Sequence, residues 1–343
     1  MPASPSEPAG RSCPLHYRYP PSVFAAAAPP ALRGAEVLYV VGGLYGNELA
    51  LHEVLRLFDA ERGNKRLVFN GDFHWFDADP AVFNRIQRGV LAHHALRGNV
   101  ETELAEAAAQ DDAGCGCAYP TWVGDEVVER SNRILRRLRG AAGLAQRAEL
   151  AALPMWLRAD VGGLRVGIVH GDASSLAGWG FAQEHLREAT HRDTVRGWFG
   201  QAGVDVFACT HTCLPVFQSL CTGGALRWVC NNGAAGMPNF AGDGAGLLTR
   251  IAMHPFDGPQ RRFGVLHGDV FIDAIAIELD AADVQRRFVA QWPAGSDAHN
   301  SYFERISRGP AYRLQDALRV DETPAAATRS LGVSSASRDP GAA

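Results

Sequence analysis

Four polar side chains with metal-binding chemistry follow apolar runs of strand length at widely separated points of the chain. They are Asp72, Asn99, His170 and His211, and glycine neighbours mark three of these loops. A carboxylate, an amide oxygen and two imidazoles form a mixed nitrogen and oxygen ligand set, which suits Mn, Fe, Zn or Co better than Ca or Mg. Because ligands at strand ends can converge at one edge of a sheet, the four residues predict a divalent transition-metal site. Alternatively, these residues are polar turn residues and ordinary core histidines without a metal. That interpretation accounts less well for their regular order along the chain and for the glycines beside them.

Other residues near these loops also have types that could do chemistry. His74 comes two residues after Asp72 and could be a metal ligand, a general acid or a satisfied loop histidine. Cys115-Gly116-Cys117 could bind metal or act in redox chemistry, but no second cysteine pair at zinc-site spacing accompanies it, which favours flexible-loop cysteines. A zinc site of Cys209, His211 and Cys213 is a further alternative, and the limited reach of residues four apart on a strand end disfavours it.

Apolar runs alternate with helical patterns and predict the elements that position these residues. Asn47 is a plausible N-cap for a helix over 48–62, and a second helix is predicted over 81–90. The resulting β-α-β-α-β order predicts a sheet covered by helices. Strand-like runs occupy residues 37–41, 66–70, 164–169, 204–208, 226–230 and 270–279.

The stretch from about 102 to 158 breaks this alternation. Residues 101–110 are helix-prone, and 123–138 are amphipathic with a basic side. We interpret the stretch as a helical insertion between core strands. Its arginine row could contact a phosphorylated substrate, although a solvated helix face is the favoured interpretation. The row consists of Arg130, Arg133, Arg136, Arg137 and Arg139.

Composition and charge narrow the functional classes. The chain has 343 residues, 47% of them hydrophobic, with a formal net charge of -4. This charge gives no electrostatic case for generic nucleic-acid binding, and no apolar run approaches membrane-spanning length. Seven cysteines, an odd number, fit a reducing cytoplasm. The N-terminal residues have no basic segment followed by an apolar core, so we expect no signal peptide.

Three segments are predicted along the chain. Residues 1–33, rich in Pro and Ala, read as a poorly ordered lead-in whose Tyr17, Tyr19 and Phe24 could pack on the domain. Residues 34–321 form the predicted domain. Residues 322–343 are small and polar, which predicts a disordered tail.

The polar motifs, taken in order, resemble those of a known family. Gly71-Asp72, Gly98-Asn99, His170-Gly171 and Thr210-His211-Thr212-x-x-Pro215 resemble the motifs of the calcineurin-like metallophosphoesterases, in particular the small bacterial phosphodiesterase branch. The resemblance covers roughly residues 36–280. It implies an α/β fold, a four-layer α/β/β/α sandwich with a metal site at the sheet edge.

The first motif and two other positions depart from the family pattern. Where the family has Asp-x-His-Gly-Asn, this chain has Gly43 in place of the acid and Tyr45 in place of the histidine. The second histidine of Gly-His-Thr-His-x-Pro is Cys213, and the histidine of Gly-Asn-His is Val100, which removes the usual proton donor.

The resemblance assigns these losses to one of two metal sites. It implies that the shared carboxylate Asp72, together with Asn99, His170 and His211, holds one ion, while all three unshared ligands of the other ion are changed. We therefore favour one ion, Mn, Fe or Zn, over two. Simple ligand loss is the favoured explanation for Tyr45 and Cys213; alternatively they contact a rebuilt metal site or phosphate.

The favoured function is a metal-dependent phosphoesterase, a phosphatase or phosphodiesterase with an atypical, mononuclear centre, acting on a phosphorylated small molecule or a phosphodiester. One alternative is a catalytically weak or inactive relative that keeps the fold and one ion and binds a ligand or partner. Another is a single-metal enzyme with a thiol-linked or redox function at Cys213. The oligomeric state is left open.

Overall fold

A computed structural model gives the structure of residues 9–11, 13–25, 32–106, 114–322 and, for the backbone alone, 330–331. Within these ranges the chain forms strands, helices and short 3₁₀ turns. The strands are β1 Leu32–Ala35, β2 Val37–Val41, β3 Lys65–Asn70, β4 His94–Leu96, β5 Trp156–Val161, β6 Leu164–Val169, β7 Val206–Cys209, β8 Val216–Thr222, β9 Ala225–Asn231, β10 Gly246–Ala252, β11 Arg261–His267, β12 Val270–Ile277, β13 Leu318–Arg319 and β14 Ser330–Leu331. The helices are α1 Glu48–Ala60, α2 Pro80–Leu91, α3 Asn99–Ala105, α4 Asp125–Arg139, α5 Leu144–Ala151, α6 Ala189–Ala202, α7 Ala281–Gln291 and α8 Asp297–Arg308.

Two seven-stranded sheets lie face to face. Sheet 1 has the order β14-β11-β12-β10-β2-β3-β4, and sheet 2 has the order β1-β5-β6-β7-β9-β8-β13. In sheet 1, β2, β3 and β4 are parallel, and in sheet 2, β6, β7 and β9 are parallel. Parallel neighbours end at the same edge, so the loops after β2, β3 and β4 meet at one end of sheet 1.

The side chains of β2 show why the sheets stack in four layers. Leu38 and Val40 belong to the apolar cluster between the two sheets, whereas Val37, Tyr39 and Val41 belong to the cluster under the helices of sheet 1. Alternate residues of a strand face opposite sides, so a strand that is apolar at every position needs cover on both faces. A third cluster joins the outer face of sheet 2 to α6. The predicted α/β/β/α sandwich is confirmed.

The N-caps of the first two helices follow from the sequence. The Asn47 side chain accepts hydrogen bonds from the backbone N–H groups of Leu49 and Ala50, and Asp79 caps α2 in the same way before Pro80. The helix predicted over 48–62 ends two residues earlier, at Ala60.

Strands β10 and β11 were not predicted, and charged residues explain why. Arg250 lies in the middle of β10, where its guanidinium is fully buried and pairs with Glu61 and Asp273. A buried ion-pair network allows a charged residue in a central strand. In the sequence, however, that residue interrupts the apolar pattern by which a strand is predicted. In β11, Arg261 and Arg262 open the strand.

Three helices, α3, α4 and α5, occupy the predicted insertion between β4 and β5, and residues 107–113 of it lie outside the described residues. Arg133, Arg136 and Arg137 of α4 are exposed, as expected of a solvated helix face, and two of them also make specific contacts. Arg133 Nη2 lies 2.7 Å from Asp297 Oδ1, and the Arg137 guanidinium lies 4.2 Å from the ring centre of Trp292. These contacts dock α4 on α8 and the end of α7 rather than presenting the row to a ligand.

The described part of the N-terminal segment packs on the sandwich. Tyr17, Tyr19 and Phe24 are buried, and the Phe24 ring centre lies 5.5 Å from that of Phe207 on β7. Within the predicted tail, residues 323–329 and 332–343 lie outside the described residues, and the backbone of β14 pairs with β11. The boundaries of the three predicted segments remain predictions. No helix in the described parts of the chain is both long enough and apolar enough to cross a membrane.

Candidate metal centre

Two glycines bring the loops after β3 and β4 into contact. A Cβ on Gly71 would lie 2.6 Å from both the backbone N of Gly98 and Nδ1 of His170, and a Cβ on Gly98 would lie 2.3 Å from Oδ1 of Asp72. Gly71 also has φ of 74°, a conformation that side chains rarely adopt. Close packing of these loops therefore requires glycine at both positions.

The donor atoms of the four predicted ligands meet at the imidazole of His170. Its Nε2 lies 3.3 Å from Oδ2 of Asp72, 3.2 Å from Oδ1 of Asn99 and 3.2 Å from Nδ1 of His211. Donors about 2.0–2.2 Å from one ion lie about 3–3.5 Å apart when they are adjacent in its coordination shell. The spacing and the chemistry of this donor set therefore fit one transition-metal ion.

Backbone carbonyl groups fix the orientation of three of the four ligands. Nδ1 of His170 donates to the carbonyl of Asn70 at 2.9 Å, and Nε2 of His211 donates to that of Cys117 at 3.1 Å. The Asn99 amide nitrogen donates to the carbonyl of Cys115 at 2.9 Å. Because a carbonyl only accepts, each bond leaves the other polar atom of the ligand with a free lone pair directed at the centre.

The electrostatics of the group favour ionised Asp72 and neutral His211. Burial raises the pKa of Asp72, but the neighbouring imidazoles of His170 and His211 outweigh it and lower the pKa below its usual value. Burial, and then the charge of His170, lower the pKa of His211 to about 3. Burial lowers and the Asp72 carboxylate raises the pKa of His170, with a net rise. A carboxylate and a neutral imidazole are the forms that ligate metals.

Glu101 is a buried carboxylate behind the ligands that the sequence analysis did not single out. Its Oε2 accepts the backbone N–H groups of Asp72 and Gly98, both at 2.8 Å, and its Oε1 accepts that of His74 at 3.2 Å. Burial and then the charge of Asp72 raise the pKa of Glu101. Asp72 has φ of 49°, and Glu101 holds its loop in that conformation. The spacing Gly98-x-x-Glu101 at a helix start is a capping signal that could have identified it.

The residues that depart from the family pattern contact each other. The Tyr45 hydroxyl lies 2.9 Å from Sγ of Cys213, and both residues have positive φ, 53° and 62°. A Cβ on Gly43 would lie 2.9 Å from Cε2 of Tyr45, so the phenol ring lies where a side chain at position 43 would be. Non-glycine residues with positive φ concentrate at functional sites, and Asp72 is a third one here.

His74 is not part of this cluster. Its Nδ1 lies 2.5 Å from Oδ2 of Asp77, and its ring stacks on Phe83 of α2 at 3.6 Å between centres. The imidazole is fully buried. Among the described residues, the histidine, cysteine, aspartate and glutamate side chains that could share one ion are Asp72, His170 and His211. Neither His74 nor Cys213 joins them, and the Asp77 carboxylate and the Phe83 ring explain the direction of the His74 side chain.

The loop containing Cys115 and Cys117 covers the centre. Both thiols are free and buried, which corrects the expectation of flexible-loop cysteines for two residues that are packed in the core. The Trp179 Nε1 donates to the Cys117 carbonyl at 2.9 Å, and the Trp179 ring lies edge-to-face with His211, 5.6 Å between centres. Cys209 lies in the core under α6, so a zinc site shared with Cys213 does not form.

Compared by sequence, no family profile and no curated protein matches the chain. Compared by structure, a hypothetical protein from Pyrococcus horikoshii matches 80% of this chain and 99% of its own, with a TM-score of 0.53 and 14% identity. A metallophosphoesterase from Sphaerobacter thermophilus matches 80% of this chain and 100% of its own, with a TM-score of 0.48 and 15% identity. At these identities the likeness concerns the fold. With its two stacked sheets and its motif loops at the strand ends, the chain shares the fold of the Pyrococcus horikoshii protein, and its layers are those that the resemblance to the calcineurin-like metallophosphoesterases implies.

Proposed function

We propose that this protein is a metal-dependent phosphoesterase with a mononuclear centre, held by Asp72, Asn99, His170 and His211. The observation that carries the proposal is the meeting of three donors within 3.3 Å of Nε2 of His170. When bound, the ion supplies Lewis acidity that polarises a phosphoryl oxygen and lowers the pKa of a water. Mn, Fe and Zn all suit the ligand set. The seven free thiols support a reducing, cytoplasmic location.

The remaining residues of the site determine which esters it would hydrolyse best. Val100 occupies the position of the proton-donating histidine of the family, and its backbone N–H donates to Asp72 Oδ1 at 3.1 Å. The His74 imidazole is fully buried against the Phe83 ring and is not part of the ligand cluster. With no histidine at that position, substrates whose leaving oxygen needs no proton are favoured. We therefore expect aryl phosphate esters to be hydrolysed faster than alkyl esters.

The test is hydrolysis of p-nitrophenyl phosphate and bis(p-nitrophenyl) phosphate with added Mn²⁺. We expect Mn²⁺ to stimulate wild-type turnover and Asp72→Asn to abolish it. Asp269→Asn, in an exposed turn after β11, is the matched control and should retain activity. Metal bound without turnover of either ester in the wild type would overturn the enzymatic proposal.

A second candidate function is a metal-holding relative that binds a ligand without hydrolysing it. The observation that favours it is the burial of the four ligands, none of which is more than 6% exposed. The Tyr45–Cys213 pair also occupies the region of the lost first site. This candidate predicts bound metal and ligand-dependent thermal stabilisation with no turnover.

A further inference from the structure

Arg305 brings a guanidinium to the edge of the candidate centre. The residue lies on α8 and is half-buried. Its Nη2 donates to the backbone carbonyl of Cys213 at 2.7 Å, and its Nε donates to that of Pro238 at 3.1 Å. Cys213 is two residues past His211, so the guanidinium is fixed against the loop that carries a ligand. Two bonds to carbonyls of separate loops hold the planar group in one orientation.

The charge of Arg305 has no carboxylate partner among the described residues. Other arginines of the same region are paired, as Arg133 is with Asp297. Arg305 instead contacts the backbone of Cys213, whose thiol is hydrogen-bonded to the Tyr45 hydroxyl. The two backbone bonds use two of the five N–H donors of a guanidinium, which leaves donors for an anion.

The Arg305 guanidinium lies beside the residues that replace the expected ligands of a second metal ion. The family resemblance places a second ion where Gly43, Tyr45 and Cys213 now lie. Position 43 carries no acid, so the carboxylate of this region is the ligand Asp72, which forms an ion pair with His170 and none with Arg305. A phosphate ester is anionic, and arginine binds phosphate oxygens through a planar fork of N–H groups. We propose that Arg305 binds a non-bridging oxygen of the phosphoryl group and supplies the positive charge that a second ion supplies in two-metal sites.

This inference rests on the proposed function, because it names the group that holds the substrate of the same site. The experiment measures binding of inorganic phosphate to the Mn²⁺-loaded protein by isothermal titration calorimetry. Metal content and hydrolysis of p-nitrophenyl phosphate are measured on the same samples. We expect Arg305→Gln to weaken phosphate binding about 10- to 100-fold while metal content is unchanged. Arg305→Lys keeps the positive charge but loses the planar fork of N–H groups. Its phosphate affinity should therefore lie between those of the wild type and Arg305→Gln.

The matched control is Arg308→Gln, one turn further along α8 and exposed, which should bind phosphate as the wild type does. Because Arg305 also links two loops, thermal unfolding is used to check whether Arg305→Gln folds normally. If it does not, the phosphate affinity of Arg305→Lys is compared with that of the wild type instead. Wild-type phosphate affinity in Arg305→Gln and Arg305→Lys would overturn the inference, and persisting hydrolysis would leave the proposed function standing. Phosphate binding that depends on Arg305 in a protein without turnover would support the inference and overturn the hydrolase.

Discussion

The Tyr45 hydroxyl is hydrogen-bonded to the Cys213 thiol, with 2.9 Å between oxygen and sulfur. These two residues stand where the family resemblance expects histidine ligands of a first metal ion, and here they contact each other. The Tyr45 ring also covers Gly43, the third changed position. The three changes therefore form one packed unit rather than three independent losses, and the unit lies beside a ligand cluster whose donors still converge.

The first prediction concerns metal stoichiometry. We expect elemental analysis after Mn²⁺ reconstitution to find close to one ion per chain, because the described residues contain one complete donor cluster. Asp72→Asn and His170→Ala should lose the ion, whereas Tyr45→Phe and Cys213→Ser should keep it. EDTA should lower the thermal midpoint of the wild type, since an ion that binds the folded state alone stabilises it. Two ions per chain, with loss of one in Tyr45→Phe or Cys213→Ser, would contradict the mononuclear assignment.

The second prediction rebuilds the first site. Gly43→Asp alone should destabilise the protein by about 1–3 kcal/mol, because the new side chain meets the Tyr45 ring and φ at position 43 is 66°. Combined with Tyr45→His and Cys213→His, the same change removes the clash and completes a ligand set. We expect the triple variant to bind a second Mn²⁺, measured by elemental analysis. A triple variant that folds and still holds one ion would show that more than these three residues was lost.

The four ligands could be predicted from sequence because each follows a strand, three of them in loops marked by glycine, and parallel strands bring their ends together. Asp72 and Asn99 come from sheet 1, and His170 and His211 from sheet 2. The stacking of the two sheets was available only through the family resemblance, since local patterns do not encode which faces meet. His74 shows that a residue close to a ligand in sequence need not lie at the metal site. It lies two residues from Asp72, yet Asp77 and Phe83 direct its ring into the core.

The groups that orient the ligands could not be predicted in the same way. The carbonyls of Asn70 and Cys117 are backbone atoms, and every residue carries one, so no residue type marks them. Arg305 comes 92 positions after Cys213, whose carbonyl it contacts, and lies on a surface helix with an ordinary amphipathic pattern. Only the tertiary structure brings it to the site. Strand β10 was missed because Arg250 interrupts its apolar pattern.

The third prediction concerns Glu101, whose carboxylate accepts three backbone N–H groups of the ligand loops. Glu101→Ala leaves these buried donors without an acceptor, and each such loss costs about 1–3 kcal/mol. We expect a fall of about 3–5 kcal/mol in the free energy of unfolding, measured in urea, together with weaker Mn²⁺ binding because Asp72 is no longer held. Glu101→Gln keeps one accepting oxygen and should lose less.

The matched control for this comparison is Glu129→Ala on the exposed face of α4. A change there should stay within about 0.5 kcal/mol of the wild type. Equal stability of Glu101→Ala and Glu129→Ala would show that the ligand loops hold their conformation without the carboxylate.

The fourth prediction concerns pH and the stability of the strand that leads to His211. Asp205 precedes β7 and receives hydrogen bonds from Arg165 on β6, and its carboxylate pairs with Arg227 on β9. Burial raises its pKa, but the bonds from Arg165 and the charges of both arginines outweigh it and lower the pKa below the usual value. A carboxyl group with a lowered pKa in the folded state stabilises fully above its unfolded value, about 4, and loses that contribution as the pH falls through the folded value.

We therefore expect the difference in unfolding free energy between wild type and Asp205→Asn to be constant from about pH 7 to about pH 5 and to shrink below about pH 4. Urea titrations at a series of pH values measure it. Asp269→Asn is the control, since that exposed carboxylate forms no ion pair among the described residues. A difference that grows on acidification would mean that the arginines do not hold Asp205 in its charged form. The order of strands β6, β7 and β9 would then depend on backbone pairing and the apolar core alone.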